Sequence, residues 1–289
     1  MSASTTTAAP SGSVTAPDQD AHIGASALIA RLVGVLDRHP RLALAVSGGV
    51  DSMTLAHVAA MHSCTTATMY HATSPAVPGD ARARVEAHAA THGWPLVVID
   101  AQELADARYV ANPVDRCYYC KSNLYARIAG ATDDTIASGT NVDDLGDYRP
   151  GLRAATERAV VHPYVEAGIT KDDVYAIARH LGLADLERLP AQPCLASRVE
   201  TGIAIDPVDL AFIDAMESAL AVELGREATL RCRVTHAGVV IELGANEFTR
   251  HQDAARDLAA AACAAAARSF AGVRPYARGA AFLHKVVHV

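Results

Sequence analysis

The run Leu42-Ala-Leu-Ala-Val46, followed at once by Ser47-Gly-Gly-Val-Asp-Ser52, constrains this chain more than any other stretch. A short apolar run between turn residues suits a buried strand, and helical spacing resumes from Val50 to about Met61. Gly48 and Gly49 let the backbone curl tightly and approach a ligand, while the helix amides and the positive end of the helix dipole favour phosphate oxygens. Ser47 and Ser52 add hydroxyl donors. A Gly-rich turn with a serine cap is the competing reading of Ser-Gly-Gly alone. The full hexapeptide at a strand-to-helix junction instead predicts a phosphate loop made of Ser47, Gly48, Gly49, Asp51 and Ser52. It is neither a Gly-x-x-x-x-Gly-Lys-Ser/Thr loop nor a Gly-x-Gly-x-x-Gly fingerprint, which weakens simple kinase and dehydrogenase readings.

The flanks repeat the strand–helix rhythm. Helices are expected over Ala25–Leu36, Asp80–His92, Arg116–Ala129 and Lys171–Leu181, the last capped by Thr170, and strands over Thr65–Tyr70, Leu96–Ile99 and Thr135–Ala137. Such alternation predicts an α/β fold: a parallel sheet of the HUP or Rossmann-like kind with helices on both faces. Near Glu200 the pattern changes to a helix over Val208–Leu224, strands at Ala228–Val234 and Val239–Leu243, an Ala-rich helix to Arg268 and a strand near Phe282–Val287. The expected organisation is a disordered tail over residues 1–22, a nucleotide-binding domain over 23–200 and a smaller α+β domain over 201–289.

Net charge is −7 with no long Lys/Arg block, so the footprint of a polynucleotide binder is missing and a small-molecule partner is expected, with no nucleic acid. No apolar run reaches the roughly 18 to 20 residues of a membrane helix. The first twenty residues lack the basic start and apolar core of a secretory signal. Six cysteines are too few for a disulfide scaffold in 289 residues and fit reduced thiols, hence a cytoplasmic location.

Two further blocks carry chemistry. Ser138-Gly-Thr-Asn-Val-Asp-Asp-Leu-Gly-Asp-Tyr-Arg-Pro-Gly-Leu152 follows a short strand and should line the cleft at the carboxyl ends of the strands, with Gly139, Thr140 and Asp143 foremost. In Ala191-Gln-Pro-Cys-Leu-Ala-Ser-Arg198, Arg198 can favour the Cys194 thiolate and orient an anionic substrate. The hexapeptide resembles the PP-loop of the ATP pyrophosphatases. Together with the 138–152 block, Glu166-Ala-Gly-Ile-Thr-Lys171 and Pro-Cys-Leu-Ala-Ser-Arg198, it is similar to the LarE-type sulfur transferases over roughly residues 25 to 200, and more loosely beyond.

That resemblance implies ATP and Mg²⁺ at the loop, with Asp51 organising the metal and pyrophosphate, and sulfur insertion into a pyridinium biscarboxylate mononucleotide on the route to a nickel-pincer cofactor. It also implies a symmetric homo-oligomer. A carboxylate becomes a good acyl donor once adenylated, and Cys194 thiolate can then attack it. Cys117-Tyr-Tyr-Cys120 with Cys194 can form a three-thiolate platform for a [4Fe–4S] cluster; otherwise Cys194 gives up its own sulfur once. A zinc pair, a redox disulfide and plain helix packing are the other readings of the CxxC.

Arg231 and Arg233 alternate onto one strand face and resemble a phosphate clamp of the same family, beside the weaker candidates Glu217 and Glu242; a solvated strand face is the bland alternative. The segment Gly272–Gly279 departs from the family's usual ending. The pairs His88/His92 and His284/His288 lack a third ligand in sequence and are expected on the solvated surface, and Cys64, Cys232 and Cys263 as buried small hydrophobes. Rival functions are an amidating PP-loop synthetase, a tRNA-thiolating enzyme and a non-enzymatic adenine-nucleotide sensor.

Overall fold

The computed structural model describes residues 19–146, 149–225 and 228–277. Helix α1 (Gln19–Leu36) feeds strand β1 (Arg41–Ala45), followed by α2 (Val50–His62), β2 (Thr66–Thr73), α3 (Gly79–His92) and β3 (Leu96–Asp100). Then come α4 (Ala107–Val110), α5 (Arg116–Ala129), β4 (Thr135–Ser138), α6 (Pro150–Glu157), α7 (Pro163–Glu166) and α8 (Lys171–His180). The four strands form one parallel sheet in the order β3-β2-β1-β4. Beyond β4 the backbone of Val161 adds a parallel bridge to Ala137, continuing the sheet outward. Starting centrally, winding to one side and returning to the other is doubly-wound topology, and it opens a crevice at the carboxyl ends of β1 and β4.

Side-chain alternation along β1 explains the two helical layers. Leu42 and Leu44 enter a core with Leu32 and Leu36 of α1, Met53 of α2 and Ile177 of α8, whereas Ala43 faces Leu124, Tyr125 and Ile128 of α5 and Ala154 of α6. Each fully buried leucine contributes about 1.5–3 kcal/mol. Helix α8 starts with a complete capping box between Thr170 and Asp173, which fixes the exit of its first turn.

A second unit comprises α9 (Pro207–Leu224), β5 (Leu230–Thr235), β6 (Gly238–Leu243), α10 (Ala245–Ala265) and β7 (Phe270–Pro275). Its sheet runs β5-β6-β7, antiparallel then parallel. Its core joins Leu210 and Ile213 of α9, Cys232, Ile241 and Cys263 to Ala76, Tyr109 and Leu195 from the first unit, so the two share an apolar seam. Buried Asn112 locks the connection: its side-chain amide donates to the carbonyls of Glu200 and Ile203, each at 2.9 Å.

Several expectations need correction. Cys64 is exposed, while Cys232 and Cys263 are buried. His88 is not solvated: its side chain is 11% exposed and packs beneath Asp185. Strand β7 has no counterpart in the sequence reading, because a glycine, a proline and a register shift at Val239/Val240 blur its period. The expected strand near residues 282–287, His284, His288, Asp147, Tyr148 and residues 1–18 lie outside the described residues, and α1 begins at Gln19. Among the described residues no helix is long and apolar enough to cross a membrane.

Candidate functional site

The loop 47–52 sits between β1 and α2 as the sequence requires. Gly48 has φ +83°, and a Cβ there would lie 2.5 Å from the Ala81 carbonyl oxygen, so both conformation and space demand glycine. The loop is braced from within: the Ser47 amide donates to Ser52 Oγ at 3.0 Å, and the two hydroxyls are 3.1 Å apart. Helix α2 has Gly49 as its N-cap with no side-chain cap, leaving its first-turn amides open to an anion.

Asp51 is the hub. Its carboxylate accepts from Lys171 Nζ at 2.6 Å and from the Asn141 side-chain amide at 3.0 Å, and its carbonyl accepts from Tyr164 OH at 3.0 Å. Asp143 accepts from the Lys171 backbone amide at 2.9 Å, joining the start of α8 to the 3₁₀ turn Val142–Gly146. Gly139 carries the second strand end against the first: a Cβ there would stand 2.8 Å from Ser52 N and 3.0 Å from the Asp51 carbonyl carbon. Thr140 Oγ1 lies 3.0 Å from Ser138 Oγ, which also meets His162 Nδ1 at 2.9 Å. Burial lowers the His162 pKa, so its ring favours the neutral form. Lys171 and Asn141 lie inside motifs that the sequence displays, yet nothing in their spacing says that they meet Asp51. A cleft of about 450 Å³ opens at the carboxyl ends of β2 and β3, between Thr73, Ser74, Val77, Arg82 and Asp100.

Arg84 of α3 ties the loop to the cysteine segment. Its guanidinium donates to the Gly48 carbonyl at 2.7 Å and to Gln192 Oε1 at 3.3 Å, and Gln192 Nε2 donates to Asp80 at 3.2 Å. No motif contains Arg84, so the sequence alone does not single it out.

Cys194 precedes the 3₁₀ turn Leu195–Arg198 and is half-buried, as are Cys117 and Cys120 on α5. Burial first, then the field of Cys194, raises the Cys117 pKa and pushes Cys120 up to about 12. Among the described residues no three His, Cys, Asp or Glu side chains are placed to hold a single metal ion. A four-iron cluster takes each thiolate on a different iron and asks for a wider triangle, and metal ligation relieves the repulsion among buried thiolates. In donor chemistry the set fits such a group.

The basic residues divide sharply. Arg198 is 3% exposed and makes a two-pronged pair with Glu217, both contacts 2.9 Å, while also donating to the Pro193 carbonyl and to the Cys194 carbonyl at 3.3 Å. Its guanidinium shapes the cysteine loop. Arg233 donates to Glu242 and to the Ser197 carbonyl, each at 2.8 Å, and Glu242, wholly buried, also accepts from Arg274 of β7. Arg231 donates only to carbonyls, including Ala191 O at 3.1 Å, and lies 5.8 Å from the Tyr276 ring. Burial and the Arg198 charge lower its pKa. Among the described residues it makes no ion pair, so it is the arginine of this group left to receive an anion.

The class of structure is thus an α/β fold with a glycine-rich loop at its strand-to-helix turn, an acid–lysine pair beside it and a thiol group at the edge of a second unit. No family model matches the chain. It is 38% identical over 173 residues to an uncharacterised protein of Synechocystis, a stretch covering 58% of this chain and 63% of that relative. A Methanocaldococcus jannaschii protein, also uncharacterised, is 27% identical over 187 residues, 63% of this chain and 70% of its own. The chain is also a distant homologue of the pyridinium-3,5-bisthiocarboxylic acid mononucleotide synthase of Lactiplantibacillus plantarum: 28% identical over 196 residues, 66% of this chain and 71% of the synthase.

Proposed function

We propose that this protein is a LarE-type, ATP-dependent sulfur transferase that adenylates a carboxylate of a pyridinium biscarboxylate mononucleotide and converts it to a thiocarboxylate. The observation that carries the reading is the physical link between a phosphate-type loop and a half-buried cysteine, through Arg84 and Gln192, in a relative of a named thiocarboxylate synthase.

In this reading the open amides of α2 and the Ser47 and Ser52 hydroxyls hold the β- and γ-phosphates, with Lys171 as their counter-charge, and Asp51 would hold Mg²⁺, which would neutralise the departing pyrophosphate. The substrate carboxylate attacks the α-phosphorus, pyrophosphate leaves, and an acyl-adenylate forms. Arg231 binds the substrate's anionic group, while Arg198 and Arg233 hold the loop that presents Cys194. A sulfur nucleophile then displaces AMP. Cys117, Cys120 and Cys194 would hold a [4Fe–4S] cluster, which when bound would supply sulfide-level sulfur. The protein acts in the cytoplasm, as a symmetric oligomer, on a small molecule.

The test is pyrophosphate release from Mg²⁺-ATP by anaerobically purified protein, with and without the biscarboxylate mononucleotide, together with iron content and intact mass. Substrate-dependent pyrophosphate and a thiocarboxylate product, with iron present and polypeptide mass unchanged, support the reading. Loss of H₂S from Cys194 without iron moves the sulfur source to the cysteine itself. Product formed at full rate by Cys194→Ala supports an amidating synthetase instead, and release without any carboxylate acceptor refutes the assignment.

A further inference from the structure

Away from the loop, the structure assembles something that the sequence scatters. His57 and His62 on α2 meet His88 and His92 on α3 around Trp94. Ring centroids are 4.7 Å apart for His57–His92, 5.5 Å for His88–His92 and 5.9 Å for His57–His62. His57 is 8% exposed, and its Nδ1 is buried with no partner; His88 Nδ1 is in the same condition. The other nitrogen of His88 lies 3.0 Å from Asp185 Oδ2. A carboxylate there accepts from Nε2–H and leaves the buried Nδ1 with a free lone pair, the arrangement by which acidic partners orient metal-binding imidazoles. The third imidazole that the His88/His92 pair lacked in sequence comes from α2.

We propose that His57, His88 and His92 bind one late first-row divalent cation of the zinc class, with His62 at its rim, pinning α2 to α3. Neutral imidazoles are the donors that such cations prefer, and a lone pair buried without a donor is a costly feature unless something accepts it. As placed, no three donors meet at one point among the described residues, so binding turns the rings towards one another. His57 lies six residues beyond Asp51 on α2, about 9 Å along the axis, which sets this site apart from the loop.

Trp94, the only tryptophan of the chain, sits 5.6 Å from the His88 ring and 5.7 Å from that of His92, and so reports on this site. Full-length protein would be titrated with Co²⁺, which quenches nearby indole emission and gives a near-ultraviolet charge-transfer band when thiolates ligate it. The expected result is saturable quenching at one equivalent, reversed by Zn²⁺ and retained in a Cys117→Ser/Cys120→Ser/Cys194→Ser variant. Affinity should fall at least tenfold in His57→Gln and in His92→Gln, and the rise in melting temperature with Zn²⁺ should vanish in His92→Gln. Absence of saturable quenching, quenching that survives both histidine substitutions, or quenching lost with the thiols overturns the site. His92 is half-buried, so its variant still tests the site even where His57→Gln folds poorly.

Discussion

Glu242→Gln tests whether Arg233 serves the fold or the substrate. Glu242 is 0% exposed, with Arg233 Nε 2.8 Å from one carboxylate oxygen and Arg274 Nη2 2.8 Å from the other. Neutralising it leaves the Arg233 guanidinium, itself 9% exposed, without its counter-charge. Removing one partner of a buried pair costs about 3–5 kcal/mol, whereas the half-exposed Arg274 contact adds at most about 1 kcal/mol. With a urea m-value near 3 kcal/mol/M, the unfolding midpoint should fall by more than about 1 M, followed by far-UV circular dichroism. The pair is not a general source of stability, so Arg233→Met/Glu242→Leu should recover most of the loss. A Glu242→Gln change below about 1 kcal/mol, or a double variant no better than the single, refutes the reasoning and returns Arg233 to the role of a free phosphate clamp.

Arg231→Ala should leave the unfolding free energy within about 0.5 kcal/mol of the parent while raising the KM of the carboxylate substrate tenfold or more; an unchanged KM removes Arg231 from the site. Gly139→Ala drives a methyl group into the α2 backbone and should cut pyrophosphate release at least tenfold with secondary structure retained, so full activity would show that the two strand ends can separate freely. Lys171→Met should weaken ATP more than tenfold by isothermal titration, and unchanged affinity would confine Lys171 to bracing Asp51. Asp106 is held down to about 2 by Arg108 and Asn123, below the ordinary 3.8, so its contribution is present above pH 4 and lost as pH falls through 2. After solvent screening, Asp106→Asn should cost roughly 1 kcal/mol at pH 7 and nothing below pH 2 in urea melts; equal losses at both pH values would contradict the sign.

The sheet was legible because β1 and β3 are short apolar runs and the longer helices carry their own period, whereas the short α4, α6 and α7 have none to show: α5 has the expected bounds, Arg116–Ala129, and β1 and α2 differ from expectation by one residue. Local code ends where contacts are long-range. Lys171 reaches Asp51 across 120 positions and Arg84 reaches Gln192 across 108, and no periodicity encodes either meeting. The histidines misled for the same reason: spacing on α3 shows one face of one helix and is silent on what the neighbouring helix brings to it. Reading Arg231 and Arg233 as equals failed to separate them because strand alternation gives a side chain's face but not its counter-ion.

Arg84 makes the glycine-rich loop 47–52 and the cysteine segment parts of one lever. Its guanidinium is shared between the Gly48 carbonyl and Gln192, two residues before Cys194, so occupancy of the loop that shifts that carbonyl also shifts the ground beneath the thiol. Binding linkage runs equally in both directions, so under the proposed reaction whatever factor ATP added to the affinity of an acceptor near Cys194, the acceptor would return to ATP. Under the proposed reaction, that single side chain is the point at which one reactant would be felt by the other.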